Sequence, residues 1–273
     1  PLFFIMIRRP PRSTQGVSAA ESDVYKRQIQ DKKMPVEWRS LGKWNPEGNS
    51  TGFFKLLEDY SDQGEIKEVC EPDDIAVIFY TSGTEAKPKG VLQAHSAVWP
   101  NYDATAECVA LQETDRLVDC RSYSWLSSQN MSLGGPLARG ATVYMAKKFS
   151  RTRYFDWIRK YRANIAVAVP TILNMFLNEP VKVHGSEIPN LRFIMTSSAP
   201  MLTENWVQFE TQYGILICQS AGCSEGGLMC SHRGTKRKIG TIGQPLKYQK
   251  VRLLDENNKE VSEGQPGQIG HTG

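Results

Sequence analysis

Ile75-Ala76-Val77-Ile78-Phe79-Tyr80-Thr81-Ser82-Gly83-Thr84-Glu85-Ala86-Lys87-Pro88-Lys89-Gly90 decides how the rest of the chain is read. Its first residues are apolar and strand-favouring and pass without a break into hydroxyls, glycines and lysines. That is the pattern of a buried strand opening into an anion-binding loop. In such a loop the backbone N–H groups around Gly83 converge on an oxyanion. Thr81, Ser82 and Thr84 add hydroxyl donors, and Lys87 and Lys89 supply compensating charge. A polyphosphate fits these donors. The spacing is not that of a Walker loop, which needs Gly-x4-Gly-Lys-Ser/Thr, because no lysine follows the second glycine. A plain polar turn between strand and helix is the alternative reading of the same residues.

Of the 273 residues, 40% are hydrophobic, enough to bury a substantial core as one large domain or two small ones. The 33 basic and 29 acidic residues leave a net charge of +4, a surplus well short of a nucleic-acid footprint, and no nucleic-acid partner is expected. The six cysteines form no CxxC pair, and several sit in apolar, strand-like surroundings. This favours reduced thiols in a cytoplasmic protein over a disulfide frame or a zinc site. No apolar run approaches the ~18 residues of a transmembrane segment.

Residues 1–28 differ from the rest: a short apolar burst, then Arg8-Arg9-Pro10-Pro11-Arg12, then polar residues without helical or strand period. A signal peptide would carry its charge before a longer apolar run. The segment resembles the conceptual translation of a sequencing adapter joined to a transcript, and it is set aside as non-native and disordered. The chain also lacks a starting methionine and ends in mid-pattern at Gly273, so it reads as part of a longer protein. Residues 29–74 form a polar lead-in with one helical candidate over residues 53–60. Residues 75–240 alternate between short apolar runs and helical patterns. Strands are expected at 90–93, 117–120, 141–146, 165–169, 191–196 and 215–219. Helices are expected at 99–111, 125–137 (interrupted), 150–162, 171–178 and 203–213, the last ending at Gly214. Such alternation predicts an α/β fold, a largely parallel sheet flanked by helices with right-handed connections. Residues 241–273 change character: Lys250–Leu254, a turn, and Glu260-Val261 read as an antiparallel hairpin that starts a β subdomain.

Ligands of open α/β sheets collect outside the carboxyl ends of the strands. Three polar stretches fall there: Thr81 to Gly90, Ser197-Ser198-Ala199-Pro200, and Ser220-Ala221-Gly222-Cys223-Ser224-Glu225. Taken singly, each is also compatible with an ordinary strand-to-helix turn, and Glu225 with a solvated loop carboxylate.

Thr81 to Gly90 resembles the phosphate-binding signature Thr-Ser-Gly-Thr-Thr-Gly-x-Pro-Lys-Gly of the adenylate-forming superfamily, which includes the AMP-dependent acyl-CoA synthetases. Eight of ten positions fit. Glu85 stands for the second threonine and Ala86 for the middle glycine. The resemblance implies the large N-terminal domain of such a ligase, partly represented. It implies catalytic roles for Lys89, Thr84 and Glu225, and phosphate contacts from Thr81, Ser82, Gly83, Thr84, Lys87, Lys89 and Gly90. Ser198, Ala199 and Pro200 correspond to the element beside the adenine. Gln219, Ser220, Ala221, Gly222, Cys223 and Ser224 correspond to the element usually written Tyr-Gly-x-Thr-Glu, with Glu225 as the Mg2+ ligand. Ala221 takes the place of an aromatic that stacks on the base. Ser124-Trp125 falls where many relatives carry Phe-His, which makes Trp125 a candidate wall of the acyl site, with core packing as the alternative. The implied substrates are ATP, coenzyme A and a small-molecule carboxylic acid, fatty or carnitine-like. A carrier-protein-loading adenylation domain and a non-catalytic relative remain the other readings. The family's ribose-binding Thr-Gly-Asp and its C-terminal lysine domain are not in the sequence.

Overall fold

The computed structural model describes residues 70–80 and 89–272. All that follows concerns the compact unit that holds Glu71–Gly273. The helical candidate at 53–60 and residues 81–88 lie outside the described residues.

Five strands run parallel: β3 (Arg116–Asp119), β4 (Thr142–Met145), β5 (Ile165–Val167), β6 (Phe193–Thr196) and the first part of β7 (Ile217–Cys223). They continue into two antiparallel strands, β8 (Gly227–Ser231) and β9 (Gln244–Pro245), to give a seven-stranded sheet in the order β4-β3-β5-β6-β7-β8-β9. Every residue of β5 and β6 is buried, as expected of central parallel strands covered on both faces.

Alternation along the strands divides their side chains between two cores. Val118, Ala166, Ile194 and Ile217 point to one side, where α4 (Tyr154–Tyr161), α5 (Pro170–Asn178) and α6 (Thr203–Tyr213) supply Tyr154, Phe155, Phe176, Trp206, Phe209 and Tyr213. Leu117, Ile165, Val167, Phe193 and Met195 point to the other, against α1 (His95–Cys108) and Met131. The aromatic side is tightly interlocked: Phe176 sits with ring centroids 5.6 Å from Tyr154 and 4.8 Å from Phe155. Each such side chain, fully buried, contributes roughly 1.5–3 kcal/mol of transfer free energy.

Local signals fixed several boundaries. Gly214, at φ 62, ends α6 in the left-handed region that glycine adopts without strain, where the sequence places the stop. The interrupted helix after Trp125 is observed as α2 (Leu126–Gln129), a π-helical turn (Asn130–Gly134) and α3 (Gly135–Arg139). Pro136, at the start of α3, follows directly on the interruption, and the packing there is close. A Cβ at Gly134 would sit 2.1 Å from the Tyr102 ring, so α1 approaches the backbone itself there.

Four expectations are corrected. β1 (Ile75–Tyr80) is not a buried strand of the main sheet: it pairs antiparallel with β2 (Gly90–Ala94) in a two-stranded sheet of its own, and only Phe79 is buried. The apolar run is long enough for a central strand, but its cross-strand partner is the chain that returns ten residues later. α1 starts at His95, four residues earlier than predicted, leaving Pro100 in the interior. Pro100 cannot donate to the Ser96 carbonyl, but Ser96 is exposed and water can take that place. β7 does not stop at Gln219; it runs to Cys223 and turns back as β8. Finally, β10 (Lys250–Leu254) has β11 (Gln268–Thr272) as its strand partner, while the expected return at Glu260-Val261 is reduced to an antiparallel bridge of Glu260 to Leu254 and a Val261 N–H bond to the Leu253 carbonyl.

Candidate functional site

The carboxyl ends of β3, β6 and β7 are tied together by side-chain hydrogen bonds. Gln219, buried on β7, donates from Nε2 to the Ala199 carbonyl at 3.3 Å, and Ser220 Oγ donates to the Thr196 carbonyl at 3.5 Å. The segment after β6 is therefore held against β7, with Ser198, Ala199 and Pro200 exposed at its crest. Ser198 adopts φ 75, a left-handed conformation that costs a non-glycine residue on the order of 1–3 kcal/mol and is retained only where the surroundings fix it. Its hydroxyl lies 3.4 Å from Ser127 Oγ on α2.

The turn that joins β7 to β8 carries Ser224, Glu225 and Gly226. It is pinned on both sides: Gln93 Nε2, on β2, donates to the Ser224 carbonyl at 3.1 Å, and Gln249 Nε2 donates to the Gly226 carbonyl at 3.0 Å. The turn is tight because its glycines have no side chain to accommodate. A Cβ at Gly222 would stand 2.3 Å from the Gly227 carbonyl oxygen, and Gly227 itself is at φ 70. Glu225 is exposed at the tip. Burial pushes the neighbouring Cys223 thiol up, and the Glu225 carboxylate adds to that rise. Cys223 Sγ also lies 3.6 Å from His271 Nε2, which links the turn to β11.

Lys89 and Gly90 are exposed at the start of β2, with Gly90 opposite Tyr80. Thr81, Ser82, Gly83, Thr84 and Lys87 lie outside the described residues. Gln93 brings β2 to the Glu225 turn; Lys89 immediately precedes that strand. Among the described residues no three His, Cys, Asp or Glu side chains gather in a metal-binding group. A lone exposed carboxylate nonetheless suits Mg2+, which keeps several waters and is commonly held by one or two carboxylates together with substrate phosphate oxygens.

Beside this rim the sequence reading overlooked a buried ion pair. Asp119, the last residue of β3, and Arg121 have side chains 0% and 2% exposed and meet at 2.9 Å. Arg121 Nε reaches both carboxylate oxygens, and Ser132 Oγ donates to Asp119 Oδ2. Pro136, four residues on, has no N–H to offer the Ser132 carbonyl, which accepts from Tyr123 Oη at 2.9 Å. Burial, with the Asp119 carboxylate adding to it, pushes the Tyr123 phenol up, so it stays a donor. Trp125 is half-buried as the N-cap residue of α2, where its carbonyl accepts from the N–H groups of Ser128 and Gln129. A sequence hint existed, an Asp and an Arg two residues apart at the end of an apolar strand, but spacing does not reveal that both are buried.

A family profile described as "AMP-binding enzyme" matches residues 7–273. The chain belongs to that family. The chain is similar to the sulfoacetate–CoA ligase of Cupriavidus necator, at 28% identity over 202 residues, covering 73% of this chain and 39% of that protein. It is similar to the crotonobetaine/carnitine–CoA ligase of Citrobacter koseri, at 25% identity over 202 residues, covering 72% and 38%. Among solved structures it shares the fold of the anthranilate CoA ligase AuaEII in complex with anthranoyl-AMP, with a TM-score of 0.77 at 20% identity over 91% of this chain and 49% of that one. The chain spans about two-fifths of the length of the curated relatives it matches.

Behind the rim the chain holds a buried histidine, His232. Gln219 N–H donates to His232 Nδ1 at 3.0 Å, so the ring proton is on Nε2, 3.1 Å from Thr241 Oγ1, whose own hydroxyl donates to the Lys238 carbonyl. Burial lowers the His232 pKa, and nearby Arg237 lowers it further, against smaller opposing effects of a hydrogen bond to the Lys238 backbone and of Glu210. Protonation would aim a second N–H at that of Gln219. The unfolded chain, with histidine near 6.5, binds the proton more readily. This contribution to stability is therefore complete above about pH 6.5 and is lost as the pH falls from there through the depressed folded value. Denaturant melts are expected to show lower stability at pH 5.5 than at pH 7.5, and His232→Gln to flatten that slope; an unchanged slope would assign the acid loss to other groups.

Among the described residues no helix is long and apolar enough to cross a membrane.

Proposed function

We propose that this chain is the nucleotide-binding part of an ATP-dependent acid–CoA ligase, which activates a carboxylic acid as its acyl-adenylate and passes it to coenzyme A. The observation that carries the proposal is the joining of the segment after β6 to β7 by the Gln219–Ala199 hydrogen bond, β7 being the strand that leads into the Glu225 turn. The segment that the resemblance assigns to adenine is thereby held against the strand that leads to the turn assigned to the metal, and the carboxyl ends of the strands are the side on which open α/β sheets take ligands.

In the proposed reaction a carboxylate oxygen of the acid attacks the α-phosphorus of ATP, and the bond to pyrophosphate breaks. The thiol of coenzyme A then adds to the acyl carbonyl, and AMP leaves as the thioester forms. The acid is ionised at neutral pH, with a pKa of about 4, so the first step needs no general base. Rate then comes from positioning and from donors that face the developing charge. Thr81, Ser82, Gly83, Thr84, Lys87, Lys89 and Gly90 would hold the phosphates, and Ser224 would join them. Ser198, Ala199 and Pro200 would flank the base, and Glu225 would hold Mg2+. When bound, that ion neutralises charge on the departing pyrophosphate. Trp125 would wall the acid site. An indole face favours a quaternary ammonium, which supports a carnitine-like acid over a plain fatty acid.

The test is ATP–pyrophosphate exchange by the full-length protein with a panel of carnitine-like, fatty and sulfonated acids. Exchange that depends on one class, with coenzyme A consumed in step, is the expected result. ATP binding without exchange for any acid would overturn the proposal in favour of a non-catalytic relative, the reading that Ala221 at the aromatic position favours.

A further inference from the structure

Arg121 is buried, hydrogen-bonded through all three guanidinium nitrogens and outside every role assigned so far. Its guanidinium spans three parts of the fold. On one side it holds Asp119 at the end of β3. On the other, Nη1 donates to Ser127 Oγ at 3.3 Å and Nη2 to the Ser127 carbonyl at 3.4 Å, both on α2, while Nη2 also lies 3.5 Å from Ser132 Oγ in the π turn. Arginine only donates, so the Ser127 oxygen accepts from it. Ser127 Oγ in turn lies 3.4 Å from Ser198 Oγ. A continuous chain therefore runs from Asp119 through Arg121 and Ser127 to Ser198. It ends on the residue of the β6–α6 segment held at positive φ.

We infer that Arg121, locked by Asp119, is a positioning residue: it fixes the α2 segment that carries Trp125 relative to the Ser198 loop, and so sets the shape of the acid site while leaving the phosphate side alone. The inference rests on the proposed placement of Trp125 at the acid site. Geometry explains why arginine is needed. Its planar fork grips a carboxylate through two nitrogens and still has donors left for Ser127, whereas a lysine ammonium is a single point that cannot do both. The phosphate side is anchored separately, through Gln93 and the Ser224 carbonyl.

The experiment compares wild type, Arg121→Lys, Ser127→Ala and Ser127→Thr in the full-length protein. Two readouts are taken: KM for acid and for ATP in pyrophosphate exchange, and Trp125 fluorescence, isolated as the difference between each protein and its Trp125→Phe counterpart. Arg121→Lys is expected to raise KM for the acid about tenfold, the scale of one hydrogen bond to a charged group, with KM for ATP within about twofold. Ser127→Ala follows in the same direction with a smaller change, Ser127→Thr restores wild-type values, and Trp125 emission moves to the red in the first two variants only. Should Arg121→Lys fail to fold, the two Ser127 variants carry the test. Equal changes in both KM values, or Trp125 emission unmoved in both Arg121→Lys and Ser127→Ala, would overturn the inference. Wild type that exchanges with no acid would instead overturn the proposed function, and Trp125 emission would still decide whether Arg121 positions α2.

Discussion

Glu225→Gln is expected to lower ATP–pyrophosphate exchange on the order of a hundredfold, the scale of losing one preorganised electrostatic contact in an active site, while hardly moving the melting temperature. The two halves of this expectation come from different features of the same turn. Glu225 is exposed at the tip of β7–β8, and the two glutamines that pin the turn, Gln93 and Gln249, bond the carbonyls of its neighbours and not its carboxylate. The turn is held by Gln93, by Gln249 and by the Gly226 N–H, which donates to Cys223 Sγ at 3.3 Å. Surface substitutions away from such anchors usually change stability by within about 0.5 kcal/mol. The chemical cost arises because a glutamine oxygen carries no charge to offer Mg2+, and among the described residues no three His, Cys, Asp or Glu side chains gather to hold the ion instead. The variant should therefore need more Mg2+ for half-maximal exchange, and Glu225→Asp should recover part of the loss. Exchange within about threefold of wild type, small beside that electrostatic scale, would remove Glu225 from the reacting centre and make it a solvated turn residue.

How much of this was legible in the sequence depended on whether the deciding interaction was local. α6 and its stop at Gly214 followed from helical period and a glycine, both of which act within a few residues. β5 and β6 followed from short apolar runs, because strands covered on both faces need no polar alternation. The strand Ile75–Tyr80 was recognised as a strand but placed wrongly, since its pairing with Gly90–Ala94 is decided by where the chain returns. β8 was missed for a related reason. Ala221, Gly222 and Cys223 read as a loop because small residues are common in loops, while in the fold the absence of a side chain at Gly222 is what lets the two strands of a hairpin close. At the site, the exposed segments carried a recognisable pattern, but their supports did not. Asp119, Arg121, Gln93 and His232 act through partners between 2 and 131 positions away, and nothing in residue type alone marks them as buried or paired.

Asp119→Asn is expected to destabilise the fold by about 3–5 kcal/mol, the usual cost of removing one partner from a buried ion pair. An asparagine fills the same space, so the loss is electrostatic. Arg121 would keep its charge with a side chain 2% exposed, and only neutral oxygens such as those of Ser127 and Ser132 would remain to receive its donors. For a domain of this size each kcal/mol shifts the midpoint by roughly 2–4 °C, which puts the expected fall in melting temperature at about 10 °C. The complementary experiment removes both charges. Asp119→Leu with Arg121→Met should recover most of the stability, because replacing a buried pair by apolar groups of similar size is often neutral or better. Recovery would show that the pair is retained for geometry and not for stability, in line with its reach to Ser127 and through it to Ser198. A single Asp119→Asn variant that melts within about 2 °C of wild type, a shift worth no more than about 1 kcal/mol, would mean that water or another acceptor reaches Arg121, and the pair would lose its standing as the anchor of α2.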